Sequence, residues 1–285
     1  MEGGETVMAK VGEVSVEKLF DAALMLGCET YETWPRGVHL TFAQLSLDVV
    51  LHEDAGLLEF RAEWPGRVRD GGKVAEVLRQ RIWRWRVFRD DSGAKRLKVL
   101  LMTNVRMGLS TEQLAGWLVF VHNELCVLFH DLAPQCGMHQ TAPQPLKREV
   151  AVTLPAVTPE RLYALLAHDG RETRVTKTTY YQELEAGDRR YGTMSFNGEE
   201  LQLEFRDEGG LFSSTYLPQD VGEKIDELNR KTHVGVVEEY WGEISARTVF
   251  YCGAGASDEQ LESWCTETMP KLEEMVKHGV HKHNS

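Results

Sequence analysis

"GLSTEQLAGW" at residues 108–117 and "GASDEQLESW" at residues 255–264 agree at six of ten positions: Gly, Ser, Glu, Gln, Leu and Trp. Those are positions that a helix start uses. Ser110 with Gln113, and Ser257 with Gln260, have the S-x-x-Q spacing in which the hydroxyl caps an N–H of the first turn and the amide reaches back. Behind the first, Leu114, Trp117, Leu118, Val121 and Leu125 form a helical apolar stripe. Behind the second, Leu261, Trp264, Leu272 and Met275 do so more sparsely. One helix opening used twice, 147 residues apart, indicates a chain made of two copies of one domain.

The copies extend outward from this repeat. "SVEKLFDAALMLGCET" (15–30) aligns with "TPERLYALLAHDGRET" (158–173) at an offset of 143. Each opens on an N-cap candidate (Ser15, Thr158) and stops at a glycine (Gly27, Gly170). Strand-like alternation follows in both halves, in "VHLTFAQLSLDVVL" and "LLEFRAEW", then in "YYQELE", "YGTMSF", "LQLEF" and "LFSSTYL". The turn residues between these segments favour antiparallel hairpins. "DGGKVAEVL" (70–78) and "DVGEKIDEL" (220–228) then read as a second helix at an offset of 150. Two further strands lead back to the repeat. The expected fold is α+β: two tandem α-β-β-β-α-β-β-α domains, each an antiparallel sheet faced by helices, arranged as a pseudo-dimer. Five of the nine prolines (Pro134, Pro143, Pro145, Pro155, Pro159) mark the seam. The expected domains are 1–133 and 156–285, joined by a proline-rich linker 134–155 with room for one short strand at Glu149–Leu154.

Element order, the glycine-ended first helix and the closing [ST]-x-E-Q-L helix resemble the YbjN family, bacterial sensory-transduction-regulator-like proteins whose fold is similar to that of type III secretion chaperones. The resemblance covers roughly 14–132 and 156–277. It implies a chaperone-like or regulatory role and carries no functional residue over to this chain.

Composition sets outer bounds. The chain has 285 residues, more than one hydrophobic core usually serves. Its net charge of −12 is uneven: residues 1–148 hold 18 Lys+Arg against 19 Asp+Glu, and 149–285 hold 14 against 25. An acidic second half disfavours nucleic acid or an anionic membrane as its partner. The opening "MEGGETVMAK" lacks a basic and an apolar region, so a cytoplasmic location is expected. Five scattered cysteines without C-x-x-C spacing suit reduced thiols rather than disulfides or zinc.

The most distinctive local feature is "RQRIWRWRVFR" (79–89). Arg79, Arg81, Trp83, Arg84, Trp85 and Arg86 combine guanidinium and aromatic groups, which suits a partner-binding surface. Tryptophans packed inward and arginines turned to solvent explain the same pattern structurally, and stacking on nucleic acid is a further alternative. "YCGAGAS" (251–257) lacks the third glycine of a phosphate loop, and Asp258 stands in its place. His278, His281 and His283 lie in a polar tail expected beyond the last helix. No hydrolase, zinc-protease or nucleotide-binding motif occurs. The expectation is a non-enzymatic binding or chaperone-like regulator of a protein or peptide partner, without cofactor or metal, either a monomeric pseudo-dimer or a homodimer. An enzyme with a site in the interdomain groove is the alternative from another class.

Overall fold

The computed structural model describes residues 11–42, 45–63, 86–89, 97–136, 143–167, 173–175, 181–185, 190–196, 198–207, 225, 227–229, 234–240 and 243–281. The first helix, α1 (Val16–Met25), begins where expected. Ser15 is extended and its hydroxyl accepts from the Lys18 N–H, and Gly27 follows the helix end at φ +72°, a conformation that suits a residue without Cβ. The first sheet holds β1 (Thr30–Trp34), β2 (Gly37–Phe42), β3 (Leu45–His52), β4 (Leu57–Glu63), β5 (Arg86–Arg89) and β6 (Leu97–Asn104), and α2 (Thr111–Cys136) closes the half. The second half runs α3 (Pro159–Ala167), β7 (Thr173–Val175), β8 (Tyr181–Glu185), β9 (Arg190–Phe196), β10 (Glu200–Asp207), β11 (Val236–Tyr240), β12 (Glu243–Tyr251) and α4 (Asp258–His281).

Both sheets are antiparallel and share one topology. Their orders are β1-β2-β3-β4-β6-β5 and β7-β8-β9-β10-β12-β11. The α+β class and the two-sheet organisation thus agree with the sequence. Each half gains a strand, β1 and β7, over the five expected. These short segments follow the first helix almost directly, where the glycine and polar residues suggest a loop. The proposed helix at 70–78 and the segment "LFSSTYL" lie outside the described residues. Of 220–228, residues 225, 227 and 228 are helical.

Alternation decides the inner faces. Val38, Leu40 and Phe42, then Leu47, Val49 and Leu51, then Leu58, Phe60 and Ala62 are buried, and α1 and α2 cover them. Trp117 of α2 stacks on Phe60 with centroids 5.8 Å apart, and Trp264 of α4 stacks on Phe250 at 4.7 Å. The repeated tryptophan thus anchors helix to sheet in each copy, and truncating either to alanine costs about 3–5 kcal/mol.

Two details of the seam differ from expectation. Helix α2 continues through Pro134 to Cys136, although a proline there forfeits one backbone hydrogen bond. Residues 149–154 form no strand. They follow a segment held by Asn123 of α2, whose side chain accepts from the Leu146 N–H at 2.7 Å and donates to the Leu146 carbonyl at 3.3 Å. At Leu146 the backbone is therefore satisfied by a side chain rather than by a ladder. At the other end, α4 includes His278 and His281, which places them within the helix instead of beyond it. Among the described residues no helix is long and apolar enough to cross a membrane.

Candidate functional site: the junction of the halves and an outer sheet face

The quoted repeat does more than start two helices. Both capping boxes form: the Ser110 N–H donates to Gln113 Oε1 at 2.9 Å and the Gln113 N–H to Ser110 Oγ at 3.1 Å. The Ser257–Gln260 pair does the same at 2.9 and 3.2 Å. The two glutamine amides then meet. Gln113 Nε2 donates to Gln260 Oε1 at 3.0 Å, and Gln260 Nε2 donates back to Gln113 Oε1 at 3.1 Å. Each Nε2 also donates across the junction, Gln113 to the Gly255 carbonyl at 2.9 Å and Gln260 to the Gly108 carbonyl at 2.7 Å. Every donor and acceptor position of both amides is used. Gln113 and Gln260 are 2% and 0% exposed, so this is a fully satisfied polar network on the pseudo-twofold axis of the molecule.

Equivalent cations buttress it. Lys18 Nζ donates to the carbonyls of Gly12 and Leu109 at 2.9 and 3.0 Å. Arg161, at the equivalent place 143 residues on, donates to the carbonyls of Pro155 and Ala256 at 2.9 and 2.8 Å and pairs with Asp258. Burial holds the Lys18 amine below its ordinary value, with Glu112 opposing. These cations tie each first helix and the chain preceding it to the loop that carries the repeat.

On its flanks the junction is asymmetric. Tyr251, at the end of β12, reaches over α2: it stacks on Phe120 at 5.5 Å and meets Trp117 edge-on at 6.0 Å. On the opposite side, Arg106 just after β6 reaches α4, with its guanidinium 3.6 Å from Glu267. Burial pushes the Tyr251 phenol up to about 12. Between the sheets, Leu100, Met102, Val236, Arg247 and Val249 help line a crevice of about 10 Å³, room for one water.

The outer face of the first sheet carries a second constellation. Register aligns Glu32, His39, Asp48, Arg61, Leu100 and Arg86 in one row across six strands, with Leu100 of this row at the crevice toward the second sheet. His39 Nδ1 lies 2.5 Å from Asp48. Two residues along β4, Glu59 is 1% exposed although it is on the outer side; Arg61 grips it through two nitrogens and His52 Nε2 lies 2.6 Å away. Burial alone would raise its carboxyl, but the hydrogen bonds from Arg61 and His52 reverse this and hold it below the ordinary value. The second sheet repeats the motif. Glu204 is gripped by Arg206 at 2.5 Å, while Arg247 lies 2.9 Å from Glu204 and 2.5 Å from Glu238. The shared tripeptide Glu-Phe-Arg at 59–61 and 204–206 was the available sequence signal for this pair.

Of the residues singled out from the sequence, Arg86 is placed by register in the charged row. Arg79, Arg81, Trp83, Arg84 and Trp85 lie outside the described residues, as does His283. Burial pushes the Cys126 thiol up to about 11 and also raises that of Cys252. Among the described residues no three His, Cys, Asp or Glu side chains are grouped to hold a metal ion.

No protein-family model matches the chain, and no curated protein matches it. Among solved structures it is similar to the crystal structure of YbjN from E. coli, at 15% sequence identity and a TM-score of 0.36, over 44% of this chain and 96% of that one.

Proposed function

We propose that this protein is a non-enzymatic, cytoplasmic binding or chaperone-like regulator that presents the outer face and edge of its first sheet to an acidic segment of a protein partner. The observation that carries this reading is the position of β5. It is an outermost strand in the order β1-β2-β3-β4-β6-β5, and its Arg86 falls in register with Arg61. An edge strand offers backbone groups to an added strand, and alternate side chains then select the partner. Arginines at 79, 81, 84, 86 and 89 supply cationic character that a carboxylate-rich segment complements.

The junction supports binding over catalysis. Its amides are consumed in holding the halves together, and its crevice admits a water rather than a substrate. Such a fixed two-sheet platform keeps partner-facing groups preorganised. The test is the charge reversal Arg84→Glu/Arg86→Glu, followed by thermal melting and by affinity capture from the native cell extract. An unchanged melt with loss of the captured partner is expected. Unchanged capture sinks the proposal, and turnover of a small molecule by the wild type would favour an enzyme instead.

A further inference from the structure

The amide pair treats the halves as equals, so by itself it would accept any pairing: first with second, first with first, or second with second. The flanks do not treat them as equals. In α2, Gly116 and Phe120 occupy the positions that Ser263 and Glu267 occupy in α4, at the 147-residue offset fixed by the Gln113–Gln260 pair. The strands before these helices end at equivalent residues, Asn104 and Tyr251, and the turns that follow match at the same offset, since Gly108 donates to the Val105 carbonyl and Gly255 to the Cys252 carbonyl; Arg106 is therefore equivalent to Gly253, so neither Tyr251 nor Arg106 has a like residue in the other half.

Tyr251 uses the missing side chain of Gly116. A Cβ at that position would overlap the Tyr251 ring at Cε1 and stand 3.2 Å from Cζ. Were two second halves to pair in the same way, each Tyr251 would land on a Ser263, whose Cβ is real, and beside a Glu267 instead of the Phe120 ring. Were two first halves to pair, each Arg106 would face Phe120 and lose the carboxylate of Glu267. That carboxylate is itself held by the Ser263 hydroxyl, which donates to Glu267 Oε1 at 2.9 Å. Only the pairing of unlike halves fills the Gly116 hole and matches Arg106 to an anion.

We propose that the Gly116–Tyr251 and Arg106–Glu267 contacts are a specificity lock that allows the first half to pair only with the second, which excludes dimers joined through like halves. Steric overlap and unmatched charge disfavour the wrong pairs more than any added attraction favours the right one. The tether contributes an effective concentration on the order of millimolar, and the lock supplies the rest of the preference.

The experiment uses the full chain. Ser263→Gly/Glu267→Phe gives the second half the same hole and ring as the first, which makes it complementary to a copy of itself. Light scattering after size exclusion, over roughly 0.01–1 mM, should find wild type monomeric throughout. The double variant should show a dimer fraction at least about tenfold higher, growing with concentration. Glu267→Phe alone keeps the serine and should stay monomeric. A folded double variant that remains monomeric at the highest concentration overturns the proposal, as does a wild type that already dimerises through like halves. If the double variant does not fold, Ser263→Gly decides alone: concentration-dependent dimers support the lock, and a monomer refutes it.

Discussion

Replacing Gln113 with glutamate sets a local rule against a tertiary one. In an isolated helix the change is harmless. Glutamate serves a capping box as well as glutamine does, and a carboxylate near a helix N-terminus gains about 0.3–1 kcal/mol from the dipole. In this molecule the Gln113 Nε2 donates to the Gly255 carbonyl and to Gln260 Oε1. A carboxylate would place an acceptor against both. Two donated hydrogen bonds vanish, the Gly255 carbonyl is left unpaired and Gln260 Oε1 keeps only the Ser257 N–H, at a cost of about 1–3 kcal/mol for each lost bond. After the dipole gain, Gln113→Glu should lower stability by about 2–5 kcal/mol at pH 7. Protonation restores one donor, so the new carboxyl should titrate above its ordinary value. Its folded-state pKa is then raised, and the penalty should shrink as the pH falls toward and below that value. Equilibrium urea unfolding of both proteins between pH 5 and 8, followed by circular dichroism, measures the difference. A variant within 1 kcal/mol of wild type at pH 7, or a penalty that does not vary with pH, would refute the reasoning. Gln113→Met, Gln260→Met and the double variant complete a cycle. Removing both amides should cost about 1–3 kcal/mol less than the sum of the singles, because the second loses partners already gone.

Gly116→Ala should destabilise by about 1–3 kcal/mol through overlap with Tyr251, although helix propensity alone favours alanine by about 1 kcal/mol; a thermal melt reads the sign. Glu59→Gln should weaken the protein at pH 7, where Arg61 and His52 hold the carboxylate. Because that carboxyl is depressed in the folded state, its contribution is present above about pH 4.3 and lost as the pH falls through the folded value, so the wild-type and variant melts should converge in acid. His122 is fully buried, and burial keeps it below its ordinary pKa. The unfolded chain therefore binds the proton more readily, and stability should fall as the pH drops below about 6.5. In His122→Gln this part of the decline should be absent, and melting temperatures at pH 7.5 and 5.5 compare the two.

What the sequence determined by itself were the features set by short-range chemistry. The S-x-x-Q caps, the glycine after α1 and the alternation in β2, β3 and β4 each follow from groups within a few residues of one another, and all formed as read. The duplication was legible because the same local solutions recur in the same order. The short strands β1 and β7 escaped because a three- to five-residue strand has little alternation of its own and becomes a strand through its neighbour. The seam escaped for a similar reason: whether residues 149–154 pair in a sheet depends on which edges are free and on Asn123, and no local pattern reports either. Above all, the function of Gln113 and Gln260 was half visible. Their oxygens face their own helix, at a separation of three residues that sequence spacing reveals. Their nitrogens face each other's half, 147 and 142 residues away for Gln113. Only the tertiary structure brings those atoms together, because a pseudo-twofold axis is a relation between whole domains and leaves its trace in the chain solely as repetition.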